Sequence, residues 1–216
     1  MSEQPIYKIS FLLDYFNRQN PHPASELKYN SVFQLLVAVM LSAQCTDKRV
    51  NMITPDLFQK YPDPQTMSEA EFSDVFYIIR SCTYPNNKAK HIIDASKMIV
   101  ENYDGEVPDN RDDLQSLPGV GRKTANVVLS VAFRKPFFAV DTHVFRVADR
   151  LGLTHAKNVR DSEIQLTKIF PDENIPDAHH WLLLHGRYIC KARTPDCHSC
   201  KLTPVCDYFT CNSERS

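Results

Sequence analysis

The chain has 216 residues, 43% of them hydrophobic, enough for one large domain or two small ones with a buried core. A formal net charge of −1 and an isoelectric point near 6.7 exclude a globally basic nucleic-acid binder, so any affinity for a polyanion must be local. No apolar run reaches the roughly 18 residues of a membrane span, and Met1-Ser2-Glu3-Gln4-Pro5 lacks the basic and apolar regions of a secretory leader. The expectation is a cytoplasmic protein without a membrane partner.

With only 5 glycines and with 14 prolines spread along the chain, the sequence suits many short helices. Ile6, Ile9, Leu13 and Phe16 recur at helical spacing, and Val32, Leu35, Leu36, Val39 and Met40 do so in a more continuously apolar, buried helix. Ser68 and Glu71 have the spacing of a capping box, with Met67 placed to pack on Phe72. They predict the start of a helix carrying Val75, Phe76 and Ile79 that ends before Pro85. The next helix runs through Ala89, Ile92, Ile93 and Ile99 to Asp104-Gly105, and later ones begin near Lys123, Asp141, Asp161 and Asp177. No stretch alternates like a strand, so the predicted fold class is all-α.

Leu117-Pro118-Gly119-Val120-Gly121-Arg122-Lys123-Thr124-Ala125 puts two of the five glycines into one turn between a short helix and an apolar one. Such a turn can aim backbone N–H groups and a helix N-terminus at a phosphate without net basic charge; it can also be an ordinary helix connection. Lys123 falls in the first turn of the second helix. There the helix dipole, burial and Arg122 would each disfavour an ammonium ion, as a nucleophilic amine requires, whereas a lysine beside a phosphate more often acts as a point charge. Asp141 follows the apolar Phe137-Phe138-Ala139-Val140 and opens a helix, the position of an N-cap.

The seven cysteines include four within 17 residues, Cys190-x6-Cys197-x2-Cys200-x5-Cys206. In a reducing compartment that density points to a metal site, although spacing alone does not choose between zinc and iron. Cys45, Cys82 and Cys211 show no partner pattern and read as ordinary thiols.

Four landmarks, Leu41-Ser42-Ala43-Gln44, Leu117 to Ala125, Val140-Asp141-Thr142-His143 and the cysteine run, stand in the order found in the helix-hairpin-helix DNA glycosylases, and the chain resembles the endonuclease III family over nearly its whole length. The resemblance implies a six-helix domain over residues 25–135 and a 4Fe-4S cluster domain from both chain ends, residues 1–24 and 136–216. It implies a base-excision-repair glycosylase for oxidised pyrimidines that also cuts abasic sites by β-elimination through a lysine Schiff base. Lys123 then falls on the nucleophile and Asp141 on the catalytic aspartate, while His143 reads as structural. Cys190, Cys197, Cys200 and Cys206 fall on the cluster ligands. Leu117, Gly119, Gly121 and Arg122 would contact DNA at the hairpin, with Lys191 and Arg193 adding cations from the cysteine loop. Gln44 matches the residue that fills the space of an extruded base. The second such segment departs from the family pattern as Thr83-Tyr84-Pro85-Asn86-Asn87, leaving Tyr84 either as a stacking residue or as a core cap. The implied partner is duplex DNA with damaged pyrimidines or abasic sites, bound by a monomer in the bacterial cytoplasm and at the nucleoid.

Overall fold

The computed structural model describes residues 3–213, so Met1, Ser2 and the last three residues of the expected end-built domain lie outside the described residues. All regular structure among the described residues is helical. In chain order the helices are α1 (Glu3–Gln19), α2 (Val32–Ser42), α3 (Asp47–Lys60), α4 (Pro64–Ser68), α5 (Phe72–Ile79), α6 (Pro85–Asn102), α7 (Arg111–Ser116), α8 (Arg122–Phe133), α9 (Thr142–Leu151), α10 (Val159–Ile169), α11 (Ile175–Tyr188) and α12 (Asp207–Ser213). Two compact units result, Ser25–Phe133 and a second made of Met1–Ala24 with Arg134–Ser216. No helix among the described residues is long and apolar enough to cross a membrane.

The unit Ser25–Phe133 is organised around α2, in which every residue from Phe33 to Leu41 is buried. A helix apolar on all sides must be enclosed, and α3, α6 and α8 pack against it. Each fully buried leucine, such as Leu35, Leu36 or Leu41, contributes about 1.5–3 kcal/mol relative to exposure. Gln34, the polar exception, accepts from Asn30 N and donates to the Pro62 carbonyl, so its amide is not buried unsatisfied.

The capping box expected at Ser68 does not form. Asp63 and Pro64 instead start the one-turn α4, with Asp63 Oδ1 accepting from Thr66 N at 2.8 Å, and Ser68 closes that turn by donating to Gln65 O at 2.7 Å. Glu71 becomes the N-cap of α5 without a side-chain bond, and Met67 goes to the core while Phe72 is left exposed against Phe76. The local pattern was ambiguous because Asp63-Pro64, beginning five residues before Ser68, is a stronger helix start.

In the second unit α9 and α11 pack closely. Trp181 on α11 stacks on Phe16 of α1 with ring centroids 5.5 Å apart and planes 6° apart, and its indole N–H donates to Asn20 O at 2.8 Å. Leu12, Phe138, Val144, Val147 and Leu166 complete that core. α9 stops at Gly152, whose φ of +72° belongs to the left-handed region. The backbone demands glycine there, and a Cβ would also displace the Asp207 carboxylate, which is paired with Lys8.

Candidate functional site

Between α7 and α8 the chain makes a tight turn, with Val120 N donating to Leu117 O at 3.1 Å. Pro118 and Gly119 occupy the two central positions, and the φ of +78° at Gly119 is that of a type II turn. A Cβ on Gly119 would come within 2.7 Å of His91, whereas one on Gly121 would meet nothing. The two glycines are therefore not equivalent: Gly119 makes the turn, and Gly121 leaves an open face before the first helical bond, Ala125 N to Gly121 O. Leu117, expected among the DNA-contact residues, is only 2% exposed, so its side chain serves the core and only its main chain can face a ligand. Arg122 is half-buried. Lys123 is exposed at the N-terminal end of α8, so the burial expected around its amine is absent.

Two loops of the same unit come together elsewhere. Gln44, beyond the end of α2, and Tyr84, before α6, both take a left-handed backbone with φ of 55°. Such a conformation is uncommon for residues other than glycine, asparagine or aspartate and persists only where its surroundings over-determine it. Here Thr83 Oγ1 donates to Gln44 O at 2.8 Å, and buried Lys88 donates to Leu41 O and Ala43 O at 2.8 and 2.7 Å. Burial lowers the Lys88 pKa from its ordinary value. These contacts close the carbonyl end of α2 and stitch the loops, leaving Gln44 and Tyr84 exposed; Tyr84 is 61% exposed and is not a core cap. Nothing in the sequence around Lys88 marked it for this role, because its partners lie 45 and more residues away.

In the second unit Asp141 caps α9: Oδ1 accepts from His143 N at 2.8 Å and from Val144 N at 2.9 Å. His143 lies against Gly186 and beside Arg146, in keeping with a structural role. Arg146 donates to the carbonyls of Gly186 and Cys190, and Arg150, one turn on, donates to Cys190 Sγ at 3.3 Å and to the carbonyls of Lys191 and Ala192 at 2.8 Å each. These two arginines fasten the start of the cysteine loop to α9. Their only signal in the sequence is i,i+4 spacing on an otherwise amphipathic helix.

Cys190 leaves the C-terminal end of α11 and Cys206 stands just before α12. Cys190, Cys197, Cys200 and Cys206 all line one recess, walled also by Val147, Leu151 and Pro195. No three His, Cys, Asp or Glu side chains among the described residues converge closely enough to share one ion. The four thiols that line this recess are a donor set able to hold a metal group with thiolate ligands. Burial, and then the neighbouring thiols, push Cys200 and Cys206 upward in pKa. His185, held down to about 4 by burial, faces Cys200 with its Nε2 3.7 Å from Sγ. Lys191 and Arg193 are exposed on the loop.

An all-helical unit with a Gly-containing turn feeding a helix N-terminus, in a chain whose other unit surrounds a recess with thiols, defines a class. The family profile "HhH-GPD superfamily base excision DNA repair protein" matches residues 37–172, and the chain belongs to that family. It is 48% identical to endonuclease III of Haemophilus influenzae over 91% of this chain and 93% of that one. To endonuclease III of Bacillus subtilis it is also 48% identical, over 93% and 92%. A solved structure of a trapped endonuclease III–DNA covalent intermediate matches with a TM-score of 0.89 and 43% identity, covering 99% of this chain and 100% of that one. The chain is accordingly a DNA-binding enzyme of base excision repair, a DNA glycosylase with abasic-site lyase activity.

Proposed function

We propose that the enzyme removes oxidised or ring-saturated pyrimidines from duplex DNA and then cuts the abasic strand by β-elimination through a Schiff base on Lys123. The observation that carries this reading is an exposed lysine at the N-terminal end of α8, directly after the turn made by Gly119. A neutral Lys123 amine attacks C1′, the imine forms as water leaves, and loss of a C2′ proton expels the 3′-phosphate. The Asp141 carboxylate stabilises positive charge at C1′ during base loss and accepts or returns protons, as carboxylates do in glycoside cleavage. Its cap to α9 supports this role, since two backbone N–H groups hold the carboxylate in one orientation.

Reaching C1′ requires extruding the damaged nucleotide, at a cost of a few kcal/mol that falls when a saturated ring has lost planarity and stacking. Exposed Gln44 and Tyr84 fill the vacated space, Tyr84 by stacking. Gly119, Gly121 and Arg122, with the backbone of Leu117, hold a phosphate at the helix end. Cys190, Cys197, Cys200 and Cys206 hold a 4Fe-4S cluster, which when bound cross-links their loop and so fixes Lys191 and Arg193 toward the phosphate backbone. The enzyme acts as a monomer in the cytoplasm and at the nucleoid, on duplex DNA bearing damaged pyrimidines or abasic sites.

Borohydride added during turnover on thymine-glycol or abasic duplexes should trap a protein–DNA adduct. Lys123→Gln should abolish trapping and strand cleavage while keeping DNA affinity, and Asp141→Asn should slow turnover by on the order of 10² with binding retained. Undiminished trapping by folded Lys123→Gln protein would remove Lys123 from the mechanism. Release of mismatched adenine far faster than thymine glycol would overturn the substrate class.

A further inference from the structure

Two thiols outside the cysteine loop meet beside the paired loops. Cys45 and Cys82, 37 residues apart in sequence, have their sulfurs 3.7 Å apart, with the Cys45 S–H directed at Cys82. Both follow helix ends and are pinned by turns: Cys45 N donates to Ser42 O at 3.0 Å and Cys82 N to Ile79 O at 2.8 Å. Cys45 is half-buried and Cys82 buried. Each cysteine is a near neighbour of a residue with left-handed backbone, Gln44 before Cys45 and Tyr84 after Cys82, and the Thr83–Gln44 hydrogen bond already ties the two segments.

We infer that Cys45 and Cys82 are a reversible disulfide site, formed by peroxide, that restrains the loops carrying Gln44 and Tyr84 and lowers DNA engagement. The geometry favours a bridge over separate oxidation, because a disulfide needs about 2.05 Å between sulfurs and the thiols have only about 1.7 Å to close. Accessibility orders the steps. Half-exposed Cys45 reacts first: its thiolate attacks one oxygen of hydrogen peroxide, the O–O bond breaks, and a sulfenic acid forms with release of hydroxide. The sulfur of Cys82 then attacks the Cys45 sulfur, the S–S bond forms, and the sulfenic oxygen leaves as water, taking the proton of Cys82. Two thiols are oxidised to one disulfide and one peroxide is reduced to two waters. Burial and the Cys45 thiol push Cys82 up to about 11, in keeping with its role as the resolving partner that waits as a thiol. Arg49 and Lys88 are the cations near the pair. A dithiol reductant reverses the bridge by exchange.

The effect on DNA engagement rests on the proposed role of Gln44 and Tyr84. Closing the sulfurs draws Cys45 or Cys82 out of its turn, and the adjacent left-handed residue moves with it. Displacements near 1 Å suffice to misplace a group that must enter a base stack, so affinity should fall roughly tenfold.

The test uses full-length enzyme in its iron-loaded form, treated with hydrogen peroxide, quenched, alkylated and digested without reduction. A Cys45–Cys82 cross-linked peptide that a dithiol abolishes is expected, and Cys211→Ser should leave it unchanged. Affinity for a duplex with a reduced abasic-site analogue should fall roughly tenfold on oxidation of the native enzyme and return on reduction. Cys45→Ala, a change at the half-exposed partner, should lose both cross-link and sensitivity while keeping its iron absorption under the same peroxide. In Cys82→Ala the trapped sulfenic acid on Cys45 should become reactive to a dione reagent. Free alkylation of both thiols after peroxide, or overoxidation of Cys45 without a cross-link, overturns the proposal. So does an affinity loss that Cys45→Ala shares, which would assign the damage to the iron site. Failure of the reduced enzyme to bind or cut damaged DNA would count against the proposed function instead.

Discussion

The turn from Leu117 to Arg122 and the loop from Cys190 to Cys206 are held by different means. Beneath the turn lie Leu114, Leu117, Val120 and Ala125, all 5% exposed or less, and the turn itself needs only Pro118 and Gly119 in their ordinary conformations. In the cysteine loop only Leu202 and Val205 are buried between Cys190 and Cys206, and the regular structure is one 3-10 turn at Thr203–Val205. Arg146 and Arg150 secure its first residues, and the remainder encircles a recess with thiols. An element seated on a core is stable through apolar burial alone; a loop with so little buried surface does not repay its ordering entropy without a cross-link. The difference locates where the proposed cluster would matter for folding.

Removing the proposed thiol-bound cluster should therefore separate the two regions most sharply. Cys197→Ser, or iron stripping of the native enzyme, should bleach the visible absorption and reduce amide protection across residues 190–206 by on the order of 10³ or more. Protection in α2 and α8 should be unchanged in the same hydrogen-exchange experiment. Equal loss in both regions would erase the contrast.

Substitution in the turn should have a smaller effect, confined to one glycine. Gly119→Ala places a Cβ against His91 at positive φ and should cost about 2–4 kcal/mol in denaturant unfolding, with weaker DNA binding. Gly121→Ala meets nothing and should stay within about 0.5 kcal/mol. Similar losses at both positions would mean that the turn depends on the flexibility of both glycines and not on the geometry of one.

The smallest change is expected at Lys88. Lys88→Met removes two hydrogen bonds to the end of α2 but also relieves a buried charge, so the net loss should be about 1–2 kcal/mol. Hydrogen exchange should quicken at Ala43 to Thr46, with the cysteine loop unaffected. Stabilisation without faster exchange would show that the lysine tolerates its site and does not organise the Gln44 loop.

Helix positions were legible where apolar spacing was regular, as in α2 and α6, and where a single residue opens the helix, as at Asp141. The Ser68 capping box misled because a four-residue pattern cannot reveal that Asp63-Pro64 has already claimed that serine. Leu117 borders the glycine turn, but that its side chain is buried was not legible from the local sequence. The cysteine run stood out through density alone, and the fold gathers its four thiols at one recess. The arginines that seat it were silent, since Arg150 meets Cys190 only after α9 and α11 have packed.

By itself the sequence determined what depends on neighbours within a few residues: the all-helical class, the Pro118-Gly119 turn, the cap at Asp141 and the crowding of four cysteines. Those features follow from backbone sterics and local hydrogen bonding, which operate over one or two turns of chain. Tertiary structure alone decided that Lys88 closes α2, that Cys45 faces Cys82, that Gly119 rather than Gly121 admits no side chain, and that the four thiols ring a recess. Each of these is a contact between residues distant in the chain, and only the burial of helix faces against one another brings such residues together.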